Sequence, residues 1–427
     1  MIYEKAFFFT IILISSCKKE SLFFTEYTGN LPKLDITTNE NYLWSPDSGL
    51  YVIGINGAEK CGPIANYNQK WEYPAEIEYL KNGHILFSDH VGLRIKGGCS
   101  RMKSMKSFGL YWRGKYGNNI LNYPVFKNSN LNSFKRLFVR NSGNDFGETH
   151  IKDISIISIV KDYGDFEFQA YQQCVVYLND QYWGIYNLRE MITPHHFENH
   201  FGFPKDNIDL LEGSELYPHA DDGTIDDYTN TVLGFIQNYD LSDDFNYEHI
   251  SNLIDVNSYI DYIIVNTYIC NKDWPNNNVK WWKDRTNNNS KWRWVLYDTD
   301  QSFQLNNVEH LWIGDLIGNY LLWPESKYST PGAFYLFNHL IKNSDFLDSF
   351  LARYMYFIEN VFEPRRVESL IRNKQNRIES EYGDFYVRWS IANKSEWNKN
   401  IKELIDFNNK RHEFMKTVIE NLINENN

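Results

Sequence analysis

Residues 271–300, NKDWPNNNVKWWKDRTNNNSKWRWVLYDTD, concentrate side chains able to do chemistry. Asp273 is followed by a run of three amides, Asn276, Asn277 and Asn278, and two further acids, Asp298 and Asp300, close the segment. Hard cations such as Mg²⁺ and Mn²⁺ take oxygen ligands, and Asp with Asn at converging loop ends supplies them. A β-hairpin is expected between the two groups. Asp298 and Asp300, two apart on its second strand, should then face the same side.

A second stretch carries the opposite charge. Residues 91–121 hold seven basic side chains (Arg94, Lys96, Arg101, Lys103, Lys106, Arg113 and Lys115) and no acid. The chain as a whole has 43 basic and 55 acidic residues and a net charge of −12. The turn Gly97-Gly98-Cys99-Ser100 lies inside the basic run. Small residues there let backbone N–H groups approach an anion, and nearby Lys and Arg add charge. Phosphate or another polyanion is the expected ligand, with a solvated basic hairpin as the simpler alternative. The overall acidity argues against a general nucleic-acid binder, which needs a basic face to neutralise phosphates.

Other residue groups have simpler readings. Asp145 or Ser142, in the run Arg140-Asn141-Ser142-Gly143-Asn144-Asp145, is placed to cap a following helix. His196 and His200 have metal-ligand spacing but no evident third ligand, so with His195 they are expected to be surface histidines. Cys61, Cys99, Cys174 and Cys270 match no zinc pattern. One or two disulfides are possible, with Cys174 and Cys270 expected as buried thiols. Ala6–Ile14 is an apolar run too short to span a bilayer. With Ile14-Ser15-Ser16-Cys17 it resembles a bacterial lipoprotein signal, with Cys17 as the lipidated residue.

The elements that must position these groups follow from pattern. Strands are expected at Gly49–Ile55 and Ala75–Leu80, with turns at Asn56-Gly57 and Asn82-Gly83. Helical periodicity begins near Ile151. A hairpin is expected at Cys174–Glu190 through Asn179-Asp180-Gln181, with Glu190 closing its second strand. A short helix follows at Thr193–Phe201, with Pro194 in its first turn. Amphipathic helices at Phe245–Ile254 and Val256–Cys270 lead into Asn271, and helices fill Phe334–Leu422. The high aromatic content, 17%, is read as core and hairpin faces.

This order, a β lobe with a basic loop, a hairpin, helices, an acid-and-amide loop and a second hairpin, is that of an atypical protein-kinase-like bilobal α+β fold. Asp273 precedes Asn278 by five residues, the spacing of the kinase catalytic loop. Asn271-Lys272 stands where His-Arg would precede that Asp, GxGxxG is absent, and no Asp-Phe-Gly follows the Asp273–Asn278 loop.

The sequence resembles the CotH (spore-coat protein H) kinase family. The resemblance rests on Asn66-Tyr67, Trp71–Ala75, Gly92–Gly98 and Lys106-Ser107-Phe108, and on Arg140–Asp145 and Asn179 with Tyr182–Glu190. It continues through Asn271-Lys272-Asp273, Asn277-Asn278 and Trp294–Asp300. It implies transfer of the ATP γ-phosphate to a protein hydroxyl with Mg²⁺ or Mn²⁺. Lys106 would contact the α/β-phosphates, assisted by Arg94 and Arg101. Asp273 would orient the acceptor hydroxyl and take its proton. Asn278 and Asp298 or Asp300 would hold the metal. Glu190 falls where either a hinge or a lysine-pairing acid would sit, and Asp153 is the other candidate partner for Lys106.

The expected division is a signal peptide at 1–17, a linker at 18–33, a β-rich region at 34–90 and the kinase-like domain at 91–427, with its N-lobe at about 91–192 and helical C-lobe at about 193–427. The expected setting is the bacterial envelope outside the cytoplasm. The chain would be tethered there by a lipid on Cys17 and act on a protein substrate. Two alternatives remain: a catalytically silent envelope protein that keeps the scaffold for binding, and a DxD-type glycosyltransferase using Asp298-Thr299-Asp300.

Overall fold

The computed structural model describes residues 29–127, 129–275, 277–309, 332 and 334–426. Cys17 with its signal segment, and Asn276, lie outside these residues. Among the described residues, no helix is long and apolar enough to cross a membrane.

Seven strands close a barrel in the order β1 (Lys33–Thr37), β2 (Tyr73–Lys81), β3 (His84–Lys96), β4 (Ser107–Tyr111), β7 (Arg136–Arg140), β10 (Gln181–Arg189) and β9 (Tyr171–Leu178). The closing pair, β1 with β9, is parallel, with Lys33 opposite Val175. Closure leaves no free edge, and alternating side chains such as Leu34, Ile36, Ile77, Leu93, Ile95 and Phe108 fill the interior. The β2–β3 turn falls at Asn82-Gly83, both at positive φ, as Asn-Gly turn chemistry favours. β3 crosses residue 90, so the expected boundary there lies within one strand and the β-rich region is part of the barrel. A two-stranded ribbon of β5 (Leu121–Asn122) and β6 (Ser133–Phe134) sits beside it.

A second sheet runs β12 (Pro218–Asp222), β11 (Ile208–Gly213), β13 (Lys280–Asp284), β14 (Arg293–Leu296) and β8 (Glu167–Phe168). β14 lies parallel to β8, with Val295 opposite Glu167. Helices occupy Lys152–Val160, Pro194–Phe201, Asp244–Leu253 and Val256–Tyr268, then Ser344–Tyr356, Pro364–Ile378 and Lys394–Asn426. One apolar core runs continuously from the barrel (Leu34, Val91) to these helices (Phe350, Trp397, Phe407). A smaller one, Ile192, Phe197, Ile208, Leu210, Trp282 and Val295, packs the Pro194–Phe201 helix against the second sheet. The architecture is α+β, sheet-rich in its N-terminal part and helical in its C-terminal part.

Two expected strand features differ. Residues 49–55 are turns and bends instead of a strand. A Cβ on Gly49 would meet Leu43 O and Ser45 O at 2.6 Å, and Gly54 sits at φ +61° against the Asn66 amide. The glycines serve close backbone approach, which a regular strand would not allow. β14 ends at Leu296, and Asp298 has φ +55°. Asp298 and Asp300 therefore leave the strand and converge by loop geometry.

Candidate active site

The site is a cleft of about 620 Å³ lined by Asp273, Asn277, Asn278, Tyr297, Asp298 and Asp300 from the 271–301 segment, by Arg140, Gly143 and Asn144, by Gly98, Cys99 and Ser100 from the basic turn, and by Lys60 from the neighbouring 58–65 loop. The hairpin of β13 and β14 sends the two ends of the acid-and-amide segment to one place. Lys280 pairs with Val295 in its ladder, and the chain leaves β14 directly into Asp298.

Asp273 accepts from both neighbouring amides, Asn277 Nδ2 at 3.1 Å and Asn278 Nδ2 at 3.0 Å. With its Nδ2 engaged there, Asn278 has its carbonyl oxygen left for a cation. Arg140, at the end of β7, donates Nη2 to Asp298 Oδ1 and to Asp300 Oδ2, each at 2.5 Å. Asp300 also accepts from Asn144 N at 3.1 Å and Asn144 Nδ2 at 3.2 Å. Gly143 has φ +60°, and a Cβ there would lie 2.1 Å from Asp300 Oδ2 and 2.8 Å from Arg140 Nη2. Only glycine leaves room for the pair.

Behind Arg140, Asp153 on the Lys152–Val160 helix pairs with Arg189 and lies 3.8 Å from Arg140 Nε. Its other oxygen accepts Thr299 N at 3.0 Å and Thr299 Oγ1 at 2.8 Å. Burial works against ionising Asp153, but Arg189 and Arg140 hold its carboxyl well below the usual range. Asp300 moves the other way, because burial and the Asp298 charge push its carboxyl up. Ionising all three carboxylates against two guanidinium groups would leave one excess negative charge, which together with burial is why Asp300 holds its proton more tightly. That excess, on oxygen donors, fits a hard divalent cation held by Asp298, Asp300 and the Asn278 carbonyl.

The turn side is basic. Cys99 is disulfide-bonded to Cys61, which ties the turn to the 58–65 loop, and Lys60 Nζ donates to Gly97 O at 3.2 Å. Burial, together with Arg94, Arg101 and Lys60, pushes Lys96 down to about 8, opposed only by Asp221. These cations repel one another, which an anion in the cleft would relieve.

The remaining expected residues lie elsewhere. Lys106 does not line the cleft. Its buried ammonium donates to the carbonyls of Arg101 at 2.6 Å and Lys103 at 3.1 Å, over the Tyr67 ring at 4.1 Å. Arg101 is buried too, donating to Gly97 O and Tyr67 O at 2.7 and 2.8 Å. Both side chains build the turn from beneath. Arg94 lies along the Tyr111 ring at 5.5 Å. Glu190 is also outside the cleft, where it accepts from Ala170 N at 3.0 Å and binds His200 Nε2 at 2.9 Å. Asp153 partners Arg189 and Arg140, not Lys106.

His196 is buried, contrary to the expected surface position. Asp145 reaches the Lys152 N–H at 2.9 Å, a helix-start bond made from seven residues upstream. Cys174 and Cys270 are buried thiols, as expected. Sequence reasoning assigned no chemistry to Arg140. Its signal was present: a basic residue directly ahead of the Asn-Ser-Gly-Asn-Asp turn, at a strand end.

A barrel lobe and a helical lobe meeting at an acid, an amide and paired carboxylates, with a basic glycine turn opposite, define a kinase-like protein. The family model described as CotH kinase protein matches residues 93–415. The chain belongs to that family, whose members in general use ATP and a divalent metal. No curated protein matches the chain.

Proposed function

We propose that this protein is an atypical kinase of the CotH type, transferring the ATP γ-phosphoryl group to a hydroxyl of a protein in the cell envelope or outside the cell. The observation that carries the reading is the convergence of Asp273, Asn278, Asp298 and Asp300 with Arg140 in one cleft beneath the basic turn. The lipobox-like Ile14–Cys17 supports a lipid-tethered, extracytoplasmic setting.

Each group has a role that its environment favours. Asp298, Asp300 and the Asn278 carbonyl hold the divalent ion, which when bound offsets phosphate charge. Lys60 and the backbone N–H groups of Gly98–Ser100 face the phosphates. Arg140 keeps the two carboxylates side by side and adds positive charge next to them. Asp273, positioned by the two amides, orients the acceptor hydroxyl and takes its proton. Most of the rate gain would come from such positioning and electrostatics. Lys106 and Arg101 contribute through the turn they brace, and Arg94 through the charge of the basic face.

The test is incubation of the full chain with labelled ATP and Mn²⁺ or Mg²⁺, beside the Asp298→Ala, Asp300→Ala double variant and Asp273→Asn. The double variant should lose label transfer by about 10²-fold or more. Asp273→Asn should keep nucleotide binding and lose transfer. Transfer that survives the double variant would sink the site assignment. Binding of ATP without any transfer by the native chain would favour the silent-scaffold alternative.

A further inference from the structure

A second group of ionisable side chains lies outside the cleft. Glu167, His196 and His200 bring ligand atoms within 4.8 Å of one another. Glu190 joins them, with Oε1 2.9 Å from His200 Nε2 and 3.5 Å from His196 Nδ1. The two imidazoles face each other at 4.1 Å between ring centroids. They sit four apart on the Pro194–Phe201 helix, hence on one face.

His196 makes the cluster unusual. Its side chain is 0% exposed, yet neither Nδ1 nor Nε2 has a hydrogen-bond partner. A buried imidazole whose one polar contact is a long one, 3.5 Å from Nδ1 to Glu190 Oε1, carries a desolvation cost that folded proteins rarely leave uncompensated. Glu190, oriented by Ala170 N, is placed to take one nitrogen. Ligand atoms of Glu167 and His200 come within 4.8 Å of the imidazole.

We propose that Glu167, His196 and His200 bind a first-row divalent cation, with Zn²⁺ the best match, and that Glu190 orients the imidazoles. Two imidazoles with one carboxylate are a familiar Zn²⁺ donor set, and a carboxylate behind a ligating His is the usual supporting group. Bonds of about 2.0–2.1 Å require the side chains to close in on loading. His200, with 27% of its side chain exposed, is the entry side.

The consequence is structural and reaches the cleft. Glu167 lies opposite Val295 in the parallel β8–β14 ladder, three residues before Asp298. Phe197, beside His196, belongs to the small apolar core with Trp282 and Val295, against which Tyr297 packs. A cation here would pin three elements at one point: β8, which pairs with the strand that delivers Asp298, the end of β10 and the helix behind them. Glu167 is the ligand that spacing could not reveal, because it comes from a two-residue strand some thirty residues upstream of the histidines.

The test uses chelator-treated full-length protein titrated with Zn²⁺ alone, without nucleotide, and followed by calorimetry and metal analysis. One tight equivalent per chain is expected, with a rise in melting temperature. His200→Ala and Glu167→Gln should each lose that affinity by 10²-fold or more, and Glu190→Gln by about 10- to 100-fold. The Asp298→Ala, Asp300→Ala double variant should keep it, which separates this site from the cleft. His200 is partly exposed, so its variant should fold, and circular dichroism checks this. Absence of stoichiometric Zn²⁺ binding by the native chain would mean an ion-pair network only. Unchanged binding by His200→Ala would also overturn the proposal. Either result leaves the nucleotide reading intact.

Discussion

At the scale of residues, the site turns on which cation faces the carboxylates. Lys106 sits in a basic run, and spacing alone cannot say that its ammonium turns inward. The inward turn is explained by two carbonyls left by the Cys99–Met102 turn and by the Tyr67 and Tyr51 rings beside it. Burial there pushes the amine down to about 8. Arg140 occupies the cleft because β7 ends there and Gly143 leaves space for its fork. The acids and amides of 271–300 were legible because Asp273 and Asn278 five apart, with Asp298 and Asp300 closing the same short segment, make a pattern within local sequence. Arg140 was not, because its importance depends on β7 being next to β10 and opposite Asp298, which is tertiary information. A Lys106→Met substitution separates the two roles. It leaves two buried carbonyls unsatisfied and should cost about 1–3 kcal/mol of stability, read by denaturant unfolding, with ATP affinity reduced only as far as the turn loosens. A variant of native stability that loses ATP affinity outright would show that Lys106 reaches the nucleotide.

At the scale of elements, strands such as β1, β7, β11 and β12 were not anticipated, whereas the hairpins and the main helices were readable from alternation, turn pairs and amphipathic period. The hairpin at Asn179-Asp180 and the helix starting at Pro194 are examples. Two exceptions have separate causes. Residues 49–55 have strand-like composition but glycines that meet other backbone, and β8 is too short to leave a pattern. Joints between elements were equally invisible. Glu215, just beyond β11, is fully buried, accepting from Tyr259 Oη at 2.6 Å and Leu336 N at 2.8 Å. It thereby joins the second sheet to the Val256–Tyr268 helix and to the Tyr335–Leu340 turn of helix. Burial raises its carboxyl from 4.5 to about 8. Below pH 4.5 the group is protonated whether the chain is folded or not. Between about 4.5 and 8 the unfolded chain releases the proton and the folded one keeps it, so this group's contribution to stability falls as pH rises. The difference in unfolding free energy between native protein and Glu215→Gln should therefore grow in the variant's favour across that window, by up to about 1.4 kcal/mol per pH unit. A difference flat from pH 5 to 8 would mean that Glu215 ionises inside the fold. Taking the difference also cancels His150, whose burial pushes its imidazole down to about 4 and which costs stability toward acid.

At the scale of the whole molecule, the acid-and-amide segment depends on the far end of the chain. The Val256–Tyr268 helix delivers Asn271 and Asp273, and its last carbonyls need partners. Arg411, fully buried on the Lys394–Asn426 helix, supplies them: Nε to Tyr268 O and Nη2 to Thr267 O, both at 3.0 Å, while Nη1 reaches Val308 O at 2.7 Å. A guanidinium placed at a helix C-terminus also meets the negative end of the helix dipole. The same C-terminal helix buries Trp397, whose Nε1 donates to Thr149 O at 2.9 Å, next to the Asp145 turn of the barrel side. One apolar core joins these parts, so barrel and helices should lose structure together, not as independent lobes. Arg411→Met keeps the length of the side chain and removes the charged donors. It should lower stability by about 1–3 kcal/mol, since the buried Tyr268 carbonyl loses its guanidinium donor. The far-UV signal, dominated by helices, and the near-UV signal of the packed aromatics should move to the same reduced midpoint. Two separated transitions would mean that the barrel stands without the helical lobe. In the folded variant, hydrogen exchange should quicken first around residues 265–273, ahead of β2 and β3. That order would tie the C-terminal helix to the geometry of Asp273, and uniform quickening would deny it.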